Sequence, residues 1–284
     1  MKKLGRNELR LLKDEIIYKY VVEGKSSIEL AKEFNCFGGG IIFILRENGI
    51  EPRKPDTKRR KYNLDEHFFD DINTPEKAYV LGFIAADGNN SPNGRCVKIC
   101  ISDLDEELLE KIQKVAHNES PIKKVSREKC RKQGKNVTDA VVLAFNSKYL
   151  SGKIAEKGIV PNKSKILKFP NNEIILNDDL YSHYIRGYFD GDGSIYKSGN
   201  GSAIKIMSSN LFIEGLDKYL LDKNIIGKIH PVTSYTYEYY VNYQEEVFKF
   251  LNYIYKDATI YLNRKYERYQ KFLEKYLIKN SNNI

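Results

Sequence analysis

The sequence predicts an α+β fold: a tandem, pseudo-twofold repeat of αββαββα with antiparallel sheets, preceded by a small all-α unit. Three observations predict it. AYVLGFIAADGNN at 78–90 and HYIRGYFDGDGSI at 183–195 share one design, a helical run with small residues four apart that ends on Asp-Gly. The hundred or so residues after each motif keep the same order of helices and alternating strands. Before the first copy, residues 8 to 50 carry only helical spacing.

In that leading part, ELRLLKDEIIYKYVVEG reads as a helix closed by Gly24. Ser26 and Ser27 offer an N-cap for IELAKEF, with Glu29 placed to complete a capping box. GGGIIFILRENGI comes after the turn at Asn35-Cys36 and stops at Gly49. Helix, turn, helix resembles the helix-turn-helix of DNA-binding proteins. Gly38, Gly39 and Gly40 depart from it, because they supply no side chain at the start of the second helix. A helical cap without a DNA role is the ordinary alternative. Pro52, Pro55 and the basic run RKPDTKRRK (53–61) mark a linker, so the first domain is placed at 1–58.

Thr74-Pro75-Glu76 opens the first repeat as N-cap, first helical residue and first-turn acid. The helix runs to Asp87, then come loop residues NNSPNG, the strand RCVKICIS and the helix DLDEELLEKIQKVA. A basic hairpin at 121–127 and 137–146 and the helix NSKYLSGKIAEKG complete a repeat spanning 74–170. The second repeat, 171–284, has the helix DLYSHYIRGYFDGD, strands GSIYKS and AIKIMSS, and the helix NLFIEGLDKYLLDK. It ends with a strand pair at 226–234 and 237–243, the helix EEVFKFLNYIYKD and a long helix from about 262.

Composition narrows the function. The 284 residues carry a net charge of +9, which favours an acidic partner, nucleic acid being the commonest. The stretch 122–135 concentrates seven basic residues against Glu128, as 53–61 concentrates six against Asp56. Solvated linker and hairpin are the bland readings of both. No apolar run is long enough to span a membrane, and the N-terminus lacks a secretion signal. Cys36, Cys96, Cys100 and Cys130 form no paired pattern, which fits a reducing, intracellular compartment. Cys96 and Cys100 in their alternating run read as buried thiols.

The two motifs carry the chemistry. Residues four apart on a helix share a face about 6 Å apart along the axis. Gly82 with Ala86, and Gly187 with Gly191, therefore make smooth stripes suited to close helix–helix approach. If the two helices pack side by side and parallel, Asp87 and Asp192 meet at their C-terminal ends, where the helix dipole is negative. Oxygen ligands in such a cluster suit Mg2+, held by one or two carboxylates plus substrate phosphates. Asp190 lies about 200° around the helix from Asp192 and corresponds to Ala85, so it reads as structural. A calcium-loop register beginning at Tyr188 puts Gly199 where the final acid belongs, which removes that rival. Asp-Gly as a plain helix-ending turn accounts for either motif singly.

VLGFIAADG and IRGYFDGDG resemble the two copies of the LAGLIDADG motif, and residues 75 to 284 resemble single-chain LAGLIDADG homing endonucleases. The resemblance implies a pseudo-twofold monomer whose two sheets saddle the major groove of double-stranded DNA. It also implies site-specific, metal-dependent cleavage of both strands, with Mg2+ as the cofactor. Asp87 and Asp192 match the family's metal-binding acids. Lys163 in VPNKSKILKFP and Lys265 in YLNRKYERY match its lysines near each site, as stabilisers of developing charge or orderers of water, or as ordinary surface lysines. Lys98, Lys123, Arg127, Lys129, Arg131, Lys197 and Lys205 are the DNA-binding candidates, with Tyr235, Tyr237, Tyr239 and Tyr243 either beside them or in the core. Lys98 can share a strand face with Cys100, whereas Arg95 and Lys98 cannot share one without a bulge. The resemblance leaves two alternatives, a non-cleaving transcription regulator and an intron RNA maturase. Retention of both acids speaks against the regulator. The Met1 start and the lack of a splicing motif suggest a free-standing polypeptide.

Overall fold

The computed structural model describes residues 3–52, 62–199 and 201–281. The basic run 53–61 expected as a linker lies outside them. The chain divides into two compact units, Met1–Arg60 and Lys61–Ile284.

The first unit is helical: α1 (Arg6–Leu11), α2 (Lys13–Val21), α3 (Ser27–Glu33) and α4 (Gly38–Glu47). The first expected helix is broken at Leu12, whose φ of −101° and ψ of 11° leave the helical region. The capping box forms as spaced. Ser26 Oγ accepts from the Glu29 amide, and the Glu29 carboxylate accepts from the Ser26 amide. Leu9, Ile16, Leu30, Ile41, Ile44 and Leu45 make a small core of this unit's own. α4 begins on the three glycines, with the exposed Phe37 as its N-cap residue. From Phe37 to Leu45 it carries no polar side chain.

In the second unit, α5 (Pro75–Asp87) starts on Thr74, whose Oγ1 accepts from the Lys77 amide. It runs directly into β1 (Gly88–Asn90). Then come β2 (Val97–Ser102), α6 (Glu106–Val115), β3 (Lys123–Val125), α7 (Glu128–Lys132), β4 (Ala140–Phe145) and α8 (Lys148–Glu156). The second copy runs α9 (Tyr181–Asp192), β5 (Gly193–Ser198), β6 (Gly201–Ser209), α10 (Asn210–Asp222), β7 (Lys228–Pro231), β8 (Thr236–Val241) and α11 (Gln244–Tyr255), and α12 (Asn263–Ser281) closes the described chain. The described strands form two four-stranded antiparallel sheets of matching order, β1-β2-β4-β3 and β5-β6-β8-β7.

Two local expectations change. Residues 88–90 pair with β2 through Gly88↔Ile99 and Asn90↔Val97, which takes Asn89 and Asn90 out of the loop expected at 89–94. Tertiary bonds hold them: buried Asn90 donates to the carbonyls of Ser151 and Ile159. The expected basic hairpin instead carries the short helix α7 between β3 and β4. Asp139 organises it, accepting from the Arg127 amide at 2.8 Å and from the Arg131 guanidinium at 2.7 Å.

α5 and α9 pack parallel through the small residues. A Cβ on Gly82 would lie 2.1 Å from the Tyr184 carbonyl oxygen, and one on Gly187 would lie 2.0 Å from that of Tyr79. One on Gly191 would lie 2.4 Å from Ala86 Cβ. Partners advance together along both helices, so the C-terminal ends of both meet. A mid-helix glycine costs up to about 1 kcal/mol relative to alanine. Here it is required, because backbone touches backbone. Gly82→Ala and Gly187→Ala are each expected to cost about 3 kcal/mol and lower the melting temperature by roughly 10 °C. Gly39→Ala, where a Cβ meets nothing within 4 Å, is expected to stabilise by up to about 1 kcal/mol. Thermal melts of the three variants check both signs.

His183 in α9 is buried with Nδ1 unpartnered, and burial with the nearby Arg186 charge pushes its pKa down to about 4. Between that value and the unfolded value near 6.5, the unfolded chain binds the proton and the folded chain does not. Stability is thus retained above about pH 6.5 and lost as pH falls toward 4. In His183→Phe the drop in melting temperature from pH 7 to 5 is expected to be smaller than in the wild type.

Candidate active site at the paired helix ends

The carboxylates that the sequence places on two helix ends come together. Asp87 Oδ2 lies 3.3 Å from the position a Gly191 Cβ would take, one residue from Asp192. Each side chain opens to solvent on one side and is walled by protein on the other. Desolvation and the charge of Asp192 push Asp87 up to about 6, with Lys265 and Lys163 opposing. Asp192 is also raised by desolvation, against Lys163, a hydrogen bond from Tyr188 and Lys265.

Lys163 and Lys265 are buried, which removes the surface-lysine reading. Lys163 Nζ donates to the carbonyls of Ala86 at 3.1 Å and Gly88 at 2.7 Å. Lys265 Nζ donates to those of Gly191 at 3.4 Å and Gly193 at 2.6 Å, the residues equivalent in the second motif, and also to Phe189 and Asp190. Each ammonium thus satisfies orphan carbonyls at a helix C-terminus and opposes its negative dipole. Burial lowers both lysines, Lys265 to about 8, and the nearby acids oppose the shift.

Asp190 points away from the pair into the core. It accepts from Tyr79 Oη at 2.7 Å, Tyr255 Oη at 2.6 Å and the Leu262 amide at 2.8 Å. Burial raises its pKa, while Lys265 and these donors lower it. Its bond to Leu262 ties the start of α12, which carries Lys265, to the helix that Lys265 caps. Ala85 stands in its place in the first copy, so the two halves are not equivalent.

A cleft of about 240 Å³ opens beside Asp87, lined among others by Cys100, Asp105, Arg127 and Arg264. Arg264 Nε lies 3.1 Å from both carboxylate oxygens of Asp105, joining α12 to the first repeat. Sequence reasoning misses this pair. Arg264 adjoins Lys265, but nothing local indicates which way it turns.

Sheet register sorts the DNA-binding candidates. On β2, Lys98 and Cys100 share the exposed face, and Lys123, opposite Val142, joins them. Arg127 Nη2 reaches Cys100 Sγ at 3.7 Å. Cys100 is therefore exposed and Cys96 only half-buried, contrary to the buried thiols expected, because the pleat turns Val97, Ile99 and Ile101 inward instead. Arg95 lies outside β2, in the loop before it. Lys129 and Arg131 fall on α7, Arg131 paired with Asp139. On the second sheet, Lys205 is on the exposed face with Tyr240 and Lys228, at 3.3 Å from Glu238. Lys197 lies apart from Lys205. Its register partner is Ser202, two places from the buried Ile195↔Ile204 pair, so it shares their face and not that of Lys205. Tyr239 is buried and Tyr237 packs against the core, while Tyr235 and Tyr243 are exposed outside β8.

Two αββαββα halves joined at glycine-packed parallel helices, each ending on an acid, define the LAGLIDADG fold. Residues 179–255, within the second repeat, match the LAGLIDADG-like domain family. Among solved structures, a mutant of I-SmaMI aligns with a TM-score of 0.50 at 15% identity, covering 74% of this chain and 93% of that one. The LAGLIDADG homing endonuclease I-GzeII in complex with its DNA target gives 0.49 at 13%, covering 74% and 92%. In sequence, 166 residues are 30% identical to part of the glutamine–fructose-6-phosphate aminotransferase of Methanocaldococcus jannaschii, covering 56% of this chain and 14% of that protein. A stretch of 158 residues is 29% identical to part of the same organism's probable translation initiation factor IF-2, covering 54% and 12%. The chain thus spans only a small fraction of the curated relatives it matches. Among the described residues, no helix is long and apolar enough to cross a membrane.

The like charges at the site predict a stability gain when one is removed. At pH 7 without divalent cations, Asp87→Asn is expected to melt above the wild type. Lys265→Met is expected to melt well below it, by more than Lys163→Met, because it strands more buried carbonyls. Calorimetry in EDTA compares all four proteins.

Proposed function

We propose that the protein is a site-specific DNA endonuclease that hydrolyses phosphodiesters in both strands of a duplex, acting as a single chain. The observation that carries this reading is the pair Asp87 and Asp192 at abutting helix ends, each end capped by an equivalent buried lysine. The fold match, the matched domain family and the basic exposed sheet faces support it. The aminotransferase and initiation-factor relatives align through only 14% and 12% of their own lengths, so neither activity is transferred.

The donor set suits a divalent cation, Mg2+ foremost. Asp87 and Asp192 balance Lys163 and Lys265 in formal charge, and the two helix C-termini leave the site at about −1. No group of three or more acids, histidines or cysteines forms a closed metal cage among the described residues. Two carboxylates with room for water and phosphate oxygens are the ligand set magnesium accepts. Asp87 and Asp192 would hold it, and a bound cation there supplies an activated water and charge relief for the leaving oxygen. The lysines keep the helix ends, and so the carboxylates, in place. Lys98, Lys123, Arg127, Lys205 and Lys228, with Lys129 and Arg131 on α7, neutralise phosphates and orient the duplex. The two halves answer the approximate twofold symmetry of DNA, as paired half-sites do in dimeric binders.

The helical first unit serves in this reading as an additional DNA-binding element. Base reading through α4 is not part of it, because Phe37 to Leu45 offers no side-chain donor. Among the described residues no feature favours RNA over duplex DNA.

The test is cleavage of a plasmid library of randomised and genomic sites in Mg2+ and in EDTA. Defined double-strand breaks that need Mg2+ are expected, with Asp87→Asn and Asp192→Asn each reducing the rate at least about a hundredfold. Tight DNA binding with no cutting in any divalent metal would overturn the nuclease reading in favour of a regulator.

A further inference from the structure

A groove of about 600 Å³ runs between α12 and the edge strand β5, whose residues 195–197 line it. Five cations line it: Lys197 from β5 and Arg268, Lys271, Lys275 and Lys279 from α12. Its lining includes no carboxylate, and the acids of α12, Glu267 and Glu274, are not among it.

The helical cations recur at steps of three and four, so they occupy one edge of α12. From Arg268 to Lys279 they span roughly 16 Å along the axis. Arg268 Nη1 donates to the Ile195 carbonyl at 2.9 Å, which binds the helix edge to the strand edge and fixes the groove's width at one end. Phe272 and Tyr276 also line it; Tyr276 stacks on Phe248 at 4.5 Å, holding that wall in place. Among the described residues, none of the four lysines makes an ion pair, whereas Lys205 on the exposed face does. A row of like charges without partners is destabilising by itself. It asks for an extended polyanion with charges spaced along a line.

We propose that this groove is a second phosphate track, which takes the sugar–phosphate backbone of duplex DNA outside the stretch covered by the sheets. At 3.4 Å of rise per base pair, 16 Å corresponds to about five base pairs of one strand. Lys197, turned away from the sheet's exposed face by the pleat, belongs to this track. The inference rests on the DNA-binding reading of the fold and adds a surface to it.

The test measures duplex affinity by fluorescence anisotropy, with a labelled 40-base-pair DNA of arbitrary sequence, from about 50 to 300 mM salt. The groove variant is Lys271→Gln/Lys275→Gln/Lys279→Gln. The control is Lys148→Gln/Lys218→Gln/Lys256→Gln, which removes the same charge from exposed lysines elsewhere. Each neutralised phosphate contributes about 0.9 to the slope of log affinity against log salt. The groove variant is expected to lose two to three units of slope and at least about tenfold in affinity near 100 mM salt. The control is expected to lose less than one unit. Lys197→Gln, on the opposite wall, is expected to lose about one. All the lysines are exposed, and matching melting temperatures verify folding.

Equal losses in groove variant and control would overturn the track in favour of bulk charge. So would an unchanged slope in the groove variant, or a loss confined to single-stranded RNA of the same length. A wild type that binds no DNA at all would overturn the endonuclease reading first and the track with it.

Discussion

Backbone contact between α5 and α9 is the constraint on which the rest of the second unit depends. Gly82 against the Tyr184 carbonyl and Gly187 against the Tyr79 carbonyl leave no room for a methyl group. Helices that close can take few relative positions, since side chains no longer hold them apart. Parallel packing then brings both C-terminal ends to one place, and each helix runs without a loop into the first strand of its own sheet. One interface therefore sets both the meeting of Asp87 with Asp192 and the placement of the sheets on either side.

That geometry creates an electrostatic problem, and the chain answers it from a distance in sequence. Two carboxylates and two helix dipoles of the same sign converge, so Lys163 and Lys265 enter from 72 to 77 residues later in the chain to cap the carbonyls. Their bonds to Ala86 and Gly88 on one side, and to Gly191 and Gly193 on the other, preserve the duplication atom for atom. The halves have diverged one shell further out. Asp190, with Tyr79, Tyr255 and the Leu262 amide, ties the second lysine's helix to its motif, and Ala85 leaves the first half without that tie. Lys265 accordingly reaches four carbonyls and Lys163 two. A buried carboxylate with three donors is tolerable where an unpaired one is not.

Several features are readable in the sequence because they depend on neighbours in the chain. Ser26 with Glu29 and Thr74 with Pro75 cap helices by bonds spanning three residues. The shared face of Lys98 and Cys100 comes from pleating alone, as the turning away of Asp190 from Asp192 comes from helical pitch. The misreadings share a different cause. β1 exists because Asn90 finds carbonyls in and beyond α8, and α7 exists because Asp139 draws in Arg127 and Arg131. Residue type suggests a buried Cys100, although its parity with Lys98 already places it outside. Charge groups Lys197 with Lys205, although only the β5–β6 register states which face each occupies.

The sequence by itself determined the duplication, the small stripes and the identity of the two acids, because these are set by periodicity and by residue size along a single helix. It also determined that lysines stand near the end of each repeat. Only the tertiary structure decided that those lysines are buried and spent on backbone carbonyls, that Arg264 pairs with Asp105 across the two repeats, and that four lysines and an arginine line one groove. Those facts depend on which surfaces meet once the helices have closed on their glycines. No local spacing encodes that, because the partners are supplied by segments tens to hundreds of residues away.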